Sequence, residues 1–219
     1  MCGNAPVNRV AYVVDGFNLY HSLCDIQRDN DDQSAKWLDI RGLCETYLPI
    51  MRTASGTWSE LEAMYYFSAP PTHRSEAKQQ RHKLYMRCLR QTGVIVQLQR
   101  FKLTTEQCYD CGRKWVRGEE KETDVAMVAR LFEICIRDLA DTVVLMTGDT
   151  DFAPAIQTCQ RLFPEEHLLF AFPYKRGHDQ LSQLAPDSFR ISARACISHQ
   201  FPDPLVFDDG RRQRKPASW

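Results

Sequence analysis

No run of apolar residues in this 219-residue chain approaches the roughly 20 needed to cross a bilayer as a helix. The opening Met1-Cys2-Gly3-Asn4-Ala5-Pro6 lacks a charged segment followed by an apolar one, so no secretory signal is expected there. Net formal charge is zero, with 28 Lys and Arg against 28 Asp and Glu, and no global field draws the chain toward nucleic acid or an anionic membrane. There is no internal repeat and no low-complexity block. No second Cys-x-x-Cys accompanies Cys108-Tyr109-Asp110-Cys111. These absences argue against a membrane protein, a polybasic binder and a solenoid.

Cysteine, by contrast, is plentiful. Nine are present, an odd number, and most sit inside apolar segments. That pattern suits a reducing compartment better than a disulfide scaffold, so a cytoplasmic location is expected. The 43% hydrophobic content is enough for one sizeable core. One domain over residues 1–199 is expected, with an irregular excursion at about residues 104–118 and a polar, Pro-containing tail over residues 200–219.

Apolar runs and helical periodicities alternate along the chain. Strands are expected at Arg9 to Val14, Glu62 to Ser68, Val94 to Phe101, Thr142 to Thr147 and His167 to Phe172. Helices are expected from Gly16 to Ile26, Leu38 to Met51, His73 to Gln91, Thr123 to Leu139 and Phe152 to Leu162, with the fourth buried on most sides. The segment from Gln27 to Lys36 reads as a loop, and Arg52 to Thr57 as a turn-rich connection. Strands alternating with helices predict an α/β fold with a mainly parallel sheet.

Carboxylates stand where those strands end. Val-Ala-Tyr-Val-Val runs into Asp15, and Val-Val-Leu-Met-Thr-Gly runs into Asp149 and Asp151. Asp124 opens the most apolar helix. Each alone reads equally well as a helix cap. Together they imply more, because ligands of an open parallel sheet bind outside the carboxyl ends of its strands. Two unit charges about 4 Å apart repel by roughly 4 kcal/mol at an effective dielectric near 20. Such a cluster needs protons or cations, and hard oxygen ligands suit Mg²⁺ or Mn²⁺. Asn18, about one turn beyond Asp15, is a candidate to orient a phosphate or a water. Thr147 and Thr150 offer hydroxyls at the same strand end.

Basic residues are unevenly placed. Arg74, Lys78, Arg81, Lys83, Arg87 and Arg90 fall in one expected helix with only Glu76 against them. Arg74, Lys78, Arg81 and Lys121 are candidate phosphate contacts, and a solvated outer face is the competing reading. Tyr12, Phe17, Tyr20 and Phe152 are able to stack on bases, although core packing is the commoner role for such rings. Cys108 and Cys111 make half of a tetrahedral zinc site. Cys88, His73 or His82 would have to complete it.

The residues around the aspartates resemble those of the NYN domain family, relatives of the PIN-domain ribonucleases. The matching blocks are Val14-Asp15-Gly16-Phe17-Asn18-Leu19-Tyr20, Glu120-Lys121-Glu122-Thr123-Asp124-Val125 and Thr147-Gly148-Asp149-Thr150-Asp151-Phe152-Ala153-Pro154. They occur in family order, over about residues 8 to 195. The cysteine pair and Pro202-Asp203-Pro204 are similar to the bacterial LabA-like branch. The resemblance implies a PIN-like, Rossmannoid three-layer fold with a five-stranded sheet in the order 3-2-1-4-5 and helices on both faces. It also implies that Asp15, Asp124, Asp149 and Asp151 form one metal site, with Asn18 beside them.

The function this implies is a Mg²⁺- or Mn²⁺-dependent ribonuclease acting on single-stranded RNA, with endonucleolytic cutting expected. Two ions about 3.5–4 Å apart would activate a water and stabilise the leaving 3′-oxygen. Products would then carry 5′-phosphate and 3′-hydroxyl ends. One alternative is a non-catalytic nucleic-acid-binding or regulatory module on the same fold, and a homo-oligomer or a regulatory protein partner is compatible with either reading. Another is a phosphatase of the haloacid dehalogenase type, suggested by Gly148-Asp149-Thr150-Asp151. That chemistry needs an Asp-x-Asp after the first strand, where this chain has Asp15-Gly16-Phe17.

Overall fold

Val10, Tyr12 and Val14 pack into one apolar cluster, and Ala11 and Val13 into another, with all five buried. They alternate along strand β1 (Asn8–Asp15). A period of two with both faces apolar marks a strand covered on both sides. The structure, a computed structural model, describes residues 7–31, 33–51 and 57–219, without the side chains of residues 101–103 and 115–121. Most of the expected connection from Arg52 to Thr57, and the side chain of Lys121, lie outside the described residues.

After β1 come β2 (Ser59–Ser68), β3 (Ile95–Leu98), the pair β4 (Arg100–Gln107) and β5 (Lys114–Lys121), then β6 (Thr142–Met146), β7 (His167–Phe172) and β8 (Phe189–Arg190). Six of them form one sheet in the order β3-β2-β1-β6-β7-β8, every neighbouring pair parallel. The expected order of five strands is present, and β8 extends it by one short edge strand.

Helices α1 (Gly16–Asp29), α2 (Ile40–Glu45) and α3 (Glu76–Gln91) cover the face of Val10, Tyr12 and Val14. Helices α4 (Thr123–Ile136), α5 (Ala153–Leu162) and α6 (Asp179–Leu184) cover the other, and α7 (Ala193–Ser198) returns to the first. The result is three layers, helix on sheet on helix. The last residues dock on the first face. Phe201, Leu205 and Phe207 are buried there, and Trp219 lies 6.1 Å from Trp37 and 5.7 Å from Tyr85, ring centre to ring centre. A short pair, β9 (Leu205–Val206) and β10 (Arg212–Gln213), shapes this tail.

Several expected elements differ. The helix expected from Leu38 to Met51 is α2 followed by a separate 3₁₀ turn over Leu48–Met51. Pro49 explains the break, since its ring clashes with the carbonyl four residues back and it brings no N–H. α3 begins at Glu76 rather than His73, after a turn that leaves Pro70-Pro71. α1 runs one turn beyond Ile26. α4 is not buried on most sides. Met127, Leu131 and Ile134 form one buried stripe at helical spacing, while Val125 and Ile136 are exposed.

The excursion expected to be irregular is a regular antiparallel hairpin, β4 on β5, in register from Arg100↔Lys121 to Gln107↔Lys114. Thr104, Thr105, Trp115 and Val116 are strand formers. The turn is closed by Cys108 N donating to Arg113 O (2.8 Å) and Gly112 N donating to Cys108 O (3.0 Å). Gly112 sits at φ +70°, a left-handed conformation that favours glycine.

Candidate active site

β1 and β6 run side by side, with Val14 level with Met146, so Asp15 and Thr147 emerge together at the carboxyl edge of the sheet. Thr147 is fully buried, and its Oγ1 donates to Asp15 Oδ2 at 3.0 Å. The same hydroxyl accepts from Asp149 N at 3.2 Å. One threonine therefore ties the two acidic strand ends together. Asp15 Oδ1 accepts from Asn18 N at 2.9 Å, capping α1. Asn18 Oδ1 in turn accepts from Gly148 N at 3.3 Å. Asp149 Oδ1 accepts from Asp151 N at 3.0 Å, capping the 3₁₀ turn Thr150–Phe152 that leads into α5. Capping and clustering are both true of Asp15 and Asp149. Asp124 is different: it lies in the first turn of α4, and the residue at that helix's start, Glu122, makes no side-chain cap.

Two glycines let these loops approach. A Cβ on Gly148 would fall 1.8 Å from Arg176 O, in the loop after β7. A Cβ on Gly16 would fall 2.5 Å from Phe67 O at the end of β2. Any other residue at either place would force the strand ends apart.

Electrostatics reports the crowding. Asp15 is only 6% exposed. Its carboxyl is pushed up to about 6, first by burial and then by the charges of Asp124 and Asp149, against the pull of the Asn18 amide and the Thr147 hydroxyl. Asp124 is exposed as a residue, yet its carboxyl is also raised, first by lost hydration and then by Asp149 and Asp151. Four acidic groups from three separate segments thus act on one another. Among the described residues, no three His, Cys, Asp or Glu side chains are arranged as a ready-made metal cage. The donor set is nevertheless the hard oxygen type that Mg²⁺ and Mn²⁺ take. Mg²⁺ in particular is held by one or two carboxylates plus waters and substrate phosphates rather than by an all-protein cage. Asp15, Asp124, Asp149 and Asp151 fit that mode.

Basic and aromatic groups flank the acids. Arg74, exposed in the turn before α3, and Arg81, half-buried on α3, both act electrostatically on the Tyr20 hydroxyl of α1. Lys78 is exposed on α3, and among the described residues no hydrogen bond or ion pair joins its side chain to that face. Burial lowers the His21 imidazole, with Arg176 and Arg74 adding to the effect and Asp25 opposing it. Arg176 pairs with Asp25, and Lys175 with Asp29. Of the four rings able to stack on bases, Tyr12 and Phe152 are core residues, whereas Phe17 and Tyr20 are each 48% exposed. Sequence reasoning gave His21, Lys36 and Arg176 no role at this rim, since an isolated His, Lys or Arg in a sequence carries no signal of its neighbours.

Cys108 and Cys111 lie at the β4–β5 turn, Cys111 exposed and Cys108 half-buried. The Cys108 thiol is lowered by the backbone amides of Cys111 and Asp110, and by the Cys111 side chain. Two of the three candidates to complete a zinc site have other surroundings. Cys88 is buried in the core on the α3 face, and His82 Nε2 shares a 3.1 Å hydrogen bond with Ser68 Oγ.

The profile of the NYN domain matches residues 9–188, most of the chain. No curated protein matches the sequence. Seven chains of solved structures match. One is the crystal structure of a protein of unknown function from Vibrio parahaemolyticus, 18% identical, covering 84% of this chain and 93% of that one, with a TM-score of 0.50. At that identity the likeness concerns the fold alone.

Proposed function

Because the chain belongs to the NYN domain family, we propose that it is a Mg²⁺- or Mn²⁺-dependent ribonuclease that hydrolyses phosphodiester bonds of single-stranded RNA, as an endonuclease. The family implies a PIN-like nuclease fold and a nucleic-acid substrate. The observation that carries the finer reading is the mutual action of Asp15, Asp124 and Asp149 at one sheet edge. Asp15, Asp124, Asp149 and Asp151 would hold the ion, which supplies an activated water and neutralises charge on the phosphate. Thr147 and Asn18 hold Asp15 and the loop of Gly148 in place. Arg74 and Arg81 counter the repulsion an RNA strand meets at an acidic crevice, and phosphate contacts of this kind position without reading sequence. Lys78 and Lys121 are further phosphate contacts in this reading.

We place the catalytic unit at residues 1–199, with residues 200–219 as a tail docked on it. Eight free cysteines among the described residues accord with a reducing, cytoplasmic setting. No helix among the described residues is long and apolar enough to cross a membrane. Two thiols at the hairpin turn supply half of a zinc site, so zinc there would require ligands from a second copy or a protein partner.

The competing reading is a binding module without catalysis. It is favoured by the lack of a ready-made cage of three ligands among the described residues. Cleavage of end-labelled single-stranded RNA with Mg²⁺ or Mn²⁺ decides between them, run beside Asp149→Asn, a chelator control and a matched DNA strand. Metal-dependent cutting lost in the variant supports the nuclease. RNA binding without cutting supports the module.

A further inference from the structure

The first turns of α1 carry an aromatic strip that the acidic site does not use. Phe17 and Tyr20 are each 48% exposed, although they lie only two and five residues beyond the buried Asp15. Large rings half open to solvent within two helical turns of a candidate active site need a reason, because the other rings nearby, Tyr12 and Phe152, are sunk in the core. A third ring on the same helix joins the two. The His21 ring packs edge-on against Phe17 at 4.4 Å between centres, and against Tyr20 at 5.8 Å. It is also flanked by cations. Lys36 Nζ lies 5.8 Å from the centre of the Tyr20 ring, and Arg74 and Arg81 act on the same side chain. A surface of half-open aromatic rings among positive charges is what single-stranded nucleic acid takes: bases stack on the rings and phosphates meet the cations.

We propose that Phe17 and Tyr20 form a stacking platform for unpaired RNA bases, and that Lys36, Arg74 and Arg81 hold the phosphates on either side of them. The platform lies beside Asp15 and would set where a strand enters the acidic crevice. It favours single strands over duplex, since paired bases cannot stack on protein rings. This inference rests on the nuclease reading for its substrate. It differs in naming side chains that bind bases rather than metal.

The test is equilibrium binding in chelator, where no metal-dependent cutting intervenes. The probes are an oligouridylate, an abasic ribose–phosphate oligomer of equal length, and an RNA duplex. Stacking changes affinity by about fivefold to a hundredfold per base. The double variant Phe17→Ala with Tyr20→Ala should therefore lose at least about tenfold on the oligouridylate and little on the abasic oligomer. Its salt dependence should match the wild type. Arg74→Gln with Arg81→Gln should lose affinity for both oligomers and flatten the salt dependence. Phe17→Leu with Tyr20→Leu keeps apolar bulk without a π face and checks that any loss is not a folding effect; it should behave as the double alanine variant does. Equal loss on both oligomers, no loss on oligouridylate, or wild-type preference for duplex overturns the platform. Cleavage is scored separately with Mn²⁺. Binding with base selectivity but no cutting leaves the platform standing and removes the nuclease, whereas cutting without base selectivity does the reverse.

Discussion

Thr147 Oγ1 donates to Asp15 Oδ2 at 3.0 Å while accepting from Asp149 N at 3.2 Å. Residues 132 positions apart in sequence thus share one buried hydrogen bond at the carboxyl edge of the sheet. Asp15 without it would be a buried carboxylate with one oxygen unserved, which costs about 1–3 kcal/mol. Thr147→Val should therefore lower unfolding free energy by about that much in urea titrations, and Thr147→Ser should restore most of it. A valine variant as stable as the wild type would mean the hydroxyl is not what holds Asp15.

Asp15 also predicts a pH dependence. Its carboxyl is raised from the ordinary 3.8 to about 6. A raised acid favours the folded state when protonated, so its contribution is fully present below about pH 3.8 and is lost as pH rises through about 6. At 1.36 kcal/mol per pKa unit the loss is of order 3 kcal/mol. Asp15→Asn should melt higher than the wild type at pH 7.5, with the gap closing near pH 4. Millimolar Mn²⁺ should raise the wild-type melting temperature at pH 7.5 and move Asp15→Asn and Asp149→Asn much less, since a ligand stabilises only the state that binds it.

His82 should act in the opposite direction. Burial lowers its imidazole to about 4, from 6.5 in a free chain. Its contribution to stability is present above about pH 6.5 and is lost as pH falls toward 4, because the unfolded chain takes up the proton first. His82→Gln, which keeps a partner for Ser68, should flatten the acid limb of the stability profile between those values. An unchanged limb would remove His82 from the account.

Gly148→Ala would place a methyl group 1.8 Å from Arg176 O. Neither backbone yields easily, and crowding of this kind costs about 1–3 kcal/mol, occasionally more. The expected outcome is a lower melting temperature together with lost Mn²⁺ stabilisation, since the strain falls next to Asp149. Retained metal response in a destabilised variant would show that the loop relaxes away from the acids.

Thiol labelling should divide the cysteines by burial. Cys111 is exposed and Cys108 is half-buried with a lowered thiol, so both should react quickly in the native protein. Cys44, Cys88, Cys135, Cys159 and Cys196 are buried and should react only on unfolding. Peptide mapping after a brief reaction checks this, and native labelling of Cys88 or Cys44 would contradict the packing on the α3 face.

Much of this was readable in one dimension. The central strand announced itself through Val10, Tyr12 and Val14 alternating with Ala11 and Val13, all apolar, because a strand covered on both faces needs no polar side. The acidic residues were legible because they interrupt apolar runs. Other features were not. Pro49 split an expected helix, although Tyr47 and Leu48 keep the apolar spacing. The β4–β5 hairpin escaped because its length carries mixed polar residues, and only the cross-strand ladder makes it regular. The apolar composition of α4 suggested burial all round, yet a helix lying on one sheet face buries one stripe and leaves Val125 and Ile136 in solvent.

Sequence by itself determined that this chain alternates strands and helices, that its carboxylates stand at strand ends, and that its blocks around Asp15, Asp124 and Asp149 match one family. Local pattern carries that information, because periodicity and punctuation are properties of neighbouring residues. Tertiary structure alone decided which rings are open and which are core, that Thr147 bridges two acids, and that Lys36 lies over the Tyr20 ring. Those relations join residues far apart in the chain. They exist only once β1 and β6 lie side by side and α1 and α3 share a sheet face.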